Sequence, residues 1–417
     1  MSAPRWVGSE TRRARIDPCA LPPFGSASFR TAKSYGRRRV SPDSRRHGSS
    51  SRVGVVTPRR ILVVFAALVT TAPAAQAQTA PRASESRSTW AVASAPHVDL
   101  WFHALAVLGF EGTGPLPLYE PGYPARVARE KEARGIEPTA LDLGRRRFRD
   151  AFTRDPAFEV LHFVPLWFAA TDVDGMLQAL RAVGRGAPEE ATDPRARFGA
   201  NATAMALDTP EERAALAAFA DALEDEWRRY YADARDRERD ARRARLGELQ
   251  TAWDRDFGPA LAPYLMAERL DRGVLLVSPP VGRDGRLFAG APEVRSDNVV
   301  VANQPGGVRP VGSAPVELYA AVRELCFPVV RRAQSSAPAS ADPLTAERQV
   351  AFGAVRCGAA LLERAAPGWT EGYRRSFLSG TPPADPIALR RAFEAAYPLD
   401  PSLAAALDRQ LEAVPGR

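Results

Sequence analysis

Apolar positions along this chain fall mostly at helical spacing. In residues 313–332 (SAPVELYAAVRELCFPVVRR) they recur at Val316, Tyr319, Ala320, Val322, Leu325, Cys326, Val329 and Val330, close to the i, i+3, i+4, i+7 pattern of one helix face. The spacing predicts a single buried helix, with Ser313 as N-cap and Pro315 in the first turn, where a proline's missing N–H has no helical partner to lose. Upstream, the run HVDLWFHALAVLGF from His97 predicts a helix closed by Gly109, and residues 125–134 and 141–152 predict two more. Residues 157–168 (AFEVLHFVPLWF) are apolar nearly all round, which predicts a buried helix bent at Pro165. Asp172 is expected to cap a helix through Val183, with a loop over 184–197. Thr209-Pro210-Glu211-Glu212 carries a capping box and a first-turn proline, opening a helix expected to run to about Arg245. The charged run 235–245 mixes both signs at i, i+4, as a solvated helical surface does.

The period changes at Gly273. Residues 274–277, 286–288 and 298–302 are short β-branched or apolar runs between Gly, Asp and Pro turns, and predict strands. Helical spacing returns over 343–365, with Asp342 as cap, and over 368–378, 387–397 and 402–411. The fold class expected is α+β and predominantly α-helical: a helical half, 97–270, then a half, 271–417, with a small sheet and a helix pair.

Composition changes this picture at one end only. Of 417 residues, 45% are hydrophobic and 25% charged, ordinary for a globular chain. The formal charge is +8. Residues 1–77 hold 14 of the 57 Lys and Arg but 3 of the 49 Asp and Glu, so 78–417 hold 43 basic against 46 acidic residues. The basic excess sits in the leader, and no nucleic-acid partner is expected for the folded part. Residues 59–77 have the layout of a secretory signal: Arg59-Arg60, the apolar run ILVVFAALVTT, then Ala75-Gln76-Ala77 as a small-x-small cleavage pattern. The apolar run is shorter than the roughly 20 residues of a membrane span. An uncut anchor and a twin-arginine signal are the alternatives; the membrane enters only through this segment. Residues 1–58 lack a sustained apolar period, and translation is read as beginning near Val53, Val55 or Val56. Residues 78–96 read as a linker. The expected location is secreted or periplasmic.

Two cysteines, Cys326 and Cys357, lie beyond the leader. In an exported chain, two thiols on neighbouring helices favour a disulfide; buried thiols and a metal-ligand pair are the alternatives. His97 and His103 are six residues apart and fall on different helix faces, so a shared metal is not expected of them, and His162 reads as a hydrogen-bonded core histidine.

Within the helix around residue 320 lies Arg323-Glu324-Leu325-Cys326-Phe327. A zinc peptidase carries His-Glu-x-x-His at that spacing, which places both imidazoles on one helix face with the glutamate as general base. A small sheet, a helix with a Glu-centred motif and a second helix bearing another glutamate resemble the core of the zincin metallopeptidases, in the gluzincin branch whose third ligand is a glutamate on the later helix. The helical first half is similar to that of secreted bacterial proteins in the group. The resemblance puts Arg323 and Phe327 where the histidine ligands would be, Glu324 at the general-base position and Glu347 at the third-ligand position, with Glu363 as a second candidate and Arg356 further along the same helix. Arginine stays protonated and phenylalanine has no lone pair, so no metal and no cofactor are expected. An ion pair is expected instead, with Arg323 or Arg356 neutralising Glu324 or Glu347.

There is no G-x-S-x-G, P-loop, G-x-G-x-x-G or C-x-x-C. The reading is therefore an exported protein on a degenerate metallopeptidase-like scaffold, more a binder of peptide or protein along the former cleft than an enzyme. One alternative is an active hydrolase using Glu324 with Glu347, or a metal held by Cys326, Cys357 and a distant histidine. The other is a helical envelope protein with structural contacts only.

Overall fold

The computed structural model of the chain describes residues 89–111, 116–152, 158–207, 209–289, 298–303, 312–337 and 342–413, all within one compact unit of 78–417. The predicted leader, start site and signal lie outside the described residues. Its centre is a four-stranded sheet: β1 (Thr89–Ala93), β2 (Arg272–Ser278), β3 (Arg286–Phe288) and β4 (Asn298–Asn303), in the order β1-β2-β4-β3. β1, β2 and β4 run parallel, and β3 lies antiparallel to β4 at the edge.

Alternation along the strands explains the layering. Val299 and Val301 of β4, with Leu276 of β2, enter one apolar cluster; Val300 and Ala302, with Leu275 and Val277, enter the other. Successive side chains of a strand point to opposite faces, so the sheet is buried on both sides between two helical layers. The helices Pro96–Leu108, Ala140–Phe152, Val173–Gly184 and Pro210–Glu226 supply the first layer. The helices Arg239–Ala252, Val316–Leu325, Phe327–Ser336 and Pro343–Ala365 supply the second. The chain is α+β and predominantly helical, as its pattern predicts.

Several boundaries differ from the prediction. The expected linker 78–96 contains β1, which joins the sheet through β2 and is tied by Trp90 Nε1–H donating to the Leu270 carbonyl at 2.8 Å. One sheet therefore spans both predicted halves, and 270/271 is not a break between separate bodies. The single helix over 313–332 is two, Val316–Leu325 and Phe327–Ser336. Pro328 has no N–H to give the Glu324 carbonyl, and its ring would crowd that oxygen, so the chain breaks at Cys326. Pro315, not Ser313, occupies the cap, and no side chain caps it. The run 157–168 is two short helices, Phe158–Leu161 and Val164–Trp167, with Pro165 at the start of the second rather than at a bend. The predicted loop 184–197 holds the start of the helix Pro194–Ala206, whose cap is Asp193. The Thr209 capping box is present. Its helix passes through a π-helical turn, Trp227–Tyr231, and breaks at Glu238, well before Arg245. The wider turn buries both Tyr230 and Tyr231.

Candidate functional site

The turn that leads into β3 reads Gly282-Arg283-Asp284-Gly285-Arg286. It is pinned from behind: the Gly282 N–H donates to the Leu118 carbonyl at 2.6 Å and the Asp284 N–H to the Pro117 carbonyl at 3.1 Å. Gly285 must be glycine. A Cβ there would lie 2.8 Å from Cγ and Cδ of Glu324 and would also collide with the Val301 carbonyl. The close approach lets the Gly285 N–H donate to Glu324 Oε1 at 3.0 Å. The helix Val316–Leu325 thus presents Arg323 and Glu324 against the start of the edge strand.

Around this junction is a cleft of about 540 Å³, lined by Asp284, Arg286, Arg323, Glu324, Phe327 and Glu347 among others. Arg323 and Glu324 are 0% and 1% exposed, so they lie just beneath its surface, closed to solvent. Arg323 Nη1 donates to Asp284 Oδ1 at 2.6 Å and pairs with Glu324 Oε1. Arg286 Nη1 donates to Asp284 Oδ2 at 2.7 Å. Phe327 lies under the Arg323 guanidinium at 4.9 Å, and Phe163 under that of Arg286 at 5.8 Å. Such stacking suits guanidinium, which is planar and weakly hydrated.

The two carboxyls are held differently. Burial raises Glu324, and the nearby Asp284 charge adds to it; Arg323 offsets only part, so the carboxyl is pushed up to about 7. Burial also acts to raise Asp284, but Arg323 and Arg286 outweigh it and hold that carboxyl below its usual range. The cluster therefore has two fixed cations, one fixed anion and one carboxyl that exchanges its proton near neutrality.

The Arg323 guanidinium is half used. Nη1 serves both carboxylates, while Nε and Nη2 find no acceptor among the described residues. A buried donor left unpaired costs about 1–3 kcal/mol.

The remaining predicted residues are placed as follows. Glu347 lines the same cleft but is exposed at its rim, 3.5 Å from Arg331. Arg356 faces away and pairs with Glu394 at 3.5 Å, and Glu363 pairs with Arg374 at 2.7 Å. The expected ion pair is therefore Arg323 with Glu324; Arg356 neutralises neither predicted glutamate. Cys326 and Cys357 form a disulfide that ties the helix break beside Phe327 to the middle of the helix Pro343–Ala365, so neither offers a thiolate. Sequence reasoning missed the role of all three, reading Asp284 and Gly285 as a turn and Arg286 as the start of a strand. Their one local signal was a lone acid between two arginines.

The three described histidines are core residues. His97 Nε2 is 2.9 Å from the Phe168 carbonyl, and His162 Nδ1 2.9 Å from the Tyr119 hydroxyl. His103 bridges the Tyr123 hydroxyl and Glu226, and Lys131 and Thr139 complete the Glu226 shell. The zinc that the resemblance implies does not fit the residues present. The first-ligand position holds a guanidinium already paired with Asp284 and Glu324, and the second holds a phenyl ring. Among the described residues no three His, Cys, Asp or Glu side chains gather as a metal-binding group. Comparison of the chain with family models, with curated proteins and with solved structures finds no match.

Proposed function

We propose that this is an exported protein on a degenerate gluzincin-like scaffold whose cleft binds an extended peptide segment without zinc-dependent hydrolysis. One observation carries the reading. The edge strand β3 and the motif residues Arg323, Glu324 and Phe327 line the same cleft. An edge strand offers main-chain donors and acceptors to an added strand, and flanking pockets select alternate side chains. The sheet's other edge is blunted, since Gln250 accepts from the Val92 N–H at 2.6 Å and donates to the Trp90 carbonyl at 3.2 Å. The Cys326–Cys357 disulfide supports export to an oxidising compartment.

The test is co-elution of the full chain with a pool of random hexapeptides on a sizing column, read by mass spectrometry. Retention of a sequence-restricted subset is expected, and retention of none contradicts the proposal.

A second reading, an acid–base hydrolase, is favoured by the split between Asp284 and Glu324. Two neighbouring carboxyls held in different protonation states are the usual acid and base of such sites. Peptide binding that survives in Glu324→Gln without any cleavage by the unaltered chain would set that reading aside.

A further inference from the structure

We infer that the cleft selects a peptide segment with two adjacent apolar residues, one side chain seated against Phe163 and the next against Phe327 and Pro328. This deepens the peptide-binding reading above and rests on it. The two faces of β3 belong to different layers. Leu287 packs against the apolar cluster of the second layer; Phe288 packs against that of the first, its ring centre 6.1 Å from that of Phe198 on the helix Pro194–Ala206. The walls of the cleft continue those two layers past the strand. Phe163, at the start of the helix Val164–Trp167, packs against the first cluster and Phe327 against the second, and both line the cleft together with Leu287 and Pro328.

A strand added beside β3 therefore enters a slot between two walls. Its successive side chains point to opposite faces, so neighbouring residues of the peptide meet opposite walls. A sheet edge with one face in water asks its partner for alternating apolar and polar residues; a strand covered on both faces is apolar at consecutive positions. The open chemistry of both walls is apolar. Phe163, Leu287, Phe327 and Pro328 are half-buried, whereas Asp284, Arg323 and Glu324 are buried and bonded to one another. Arg331 and Glu347 stand exposed at the rim and pair with each other at 3.5 Å. A charged peptide side chain in the slot would exchange water for phenyl and aliphatic surface, at a cost.

The test uses the full chain, a random hexapeptide pool, and two hexapeptides with acetylated and amidated ends. Both hexapeptides hold four serines and two leucines, adjacent in one and separated by a single serine in the other. Among retained pool peptides, adjacent apolar pairs should be enriched about tenfold or more, the least that burying one such side chain is worth. The adjacent-leucine peptide should displace the retained pool at about a tenth of the concentration its isomer needs. Phe163→Ser, checked for folding by circular dichroism, should relax the choice at one of the two positions and leave the other, and Phe327→Ser the reverse. The leucine isomers need no variant, so they decide the matter if either variant fails to fold. Equal displacement by the two isomers, or a preference for separated leucines, overturns the inference and leaves strand addition standing. Retention of no peptide, with the chain eluting as a monomer or as a dimer joined through this edge, defeats the peptide reading and the inference together.

Discussion

Arg323 Nη1 lies 2.6 Å from Asp284 Oδ1. That contact joins the helix Val316–Leu325 to the turn before β3 and fixes one wall of the cleft against its floor. It also explains how four ionisable side chains are tolerated there. Asp284 holds both guanidiniums at hydrogen-bond distance and Glu324 sits against Arg323, and buried ions persist where they are paired in this way.

Removing one partner should therefore be costly. Arg323→Met leaves Asp284 and Glu324 without their shared cation and should destabilise the chain by about 3–5 kcal/mol in urea unfolding. Combining it with Glu324→Gln should recover part of that loss. A double variant that is worse by the full sum of the single effects would show that the two side chains do not interact.

The Glu324 carboxyl sets a pH dependence of known sign. Its ordinary value is 4.5, and in the fold it is pushed up to about 7 by burial and Asp284. The folded state thus holds the proton more tightly than the unfolded chain. The stability this gives is complete below about 4.5 and is lost as pH rises through about 7. Urea titrations at several pH values should show Glu324→Gln gaining on the unaltered chain across that window, and a constant difference would contradict the assignment.

Glu226 acts in the opposite sense. Burial opposes its charge, but His103 and Lys131 outweigh burial and hold it at about 2, below its ordinary 4.5. That stability is present above 4.5 and is lost as pH falls through about 2. His97 and His162, lowered by burial to about 4 and about 3 from 6.5, lose theirs in the same direction below 6.5. Glu226→Gln should cost most at neutral pH and little near pH 2, as measured by thermal melts.

The disulfide closes a loop of 31 residues. Loop-closure entropy gives about 3–4 kcal/mol for that length. Reduction, or Cys326→Ser with Cys357→Ser, should lower stability by roughly that amount and loosen the Phe327 side of the cleft, read as faster hydrogen exchange over 323–336.

Much of the helical frame was legible because its signals are local. Asp172, Thr209 and Asp342 each cap the helix they were expected to cap, and Asp342 accepts from the Leu344 and Thr345 N–H groups. β1 was not legible. Among the described residues TWAVA has no strand nearby in the sequence and pairs only with β2, some 180 residues on. The break at Cys326 had its signal in Pro328, which was outweighed by an apolar face that continues in phase on both sides. Of the site, Arg323 and Glu324 were visible as a motif on a helix. Asp284 and Gly285 were not, since what gives them a role is contact with residues 39 positions away.

The central claim, that peptide adds to β3 inside this cleft, is tested most directly by hydrogen exchange. The full chain is compared alone and with a peptide retained from the random pool. Slower exchange at residues 285–289 of the β3 edge, together with 323–331 beside it, is the predicted result. Bound peptide that leaves β3 unchanged, or that protects a different surface, would contradict the account.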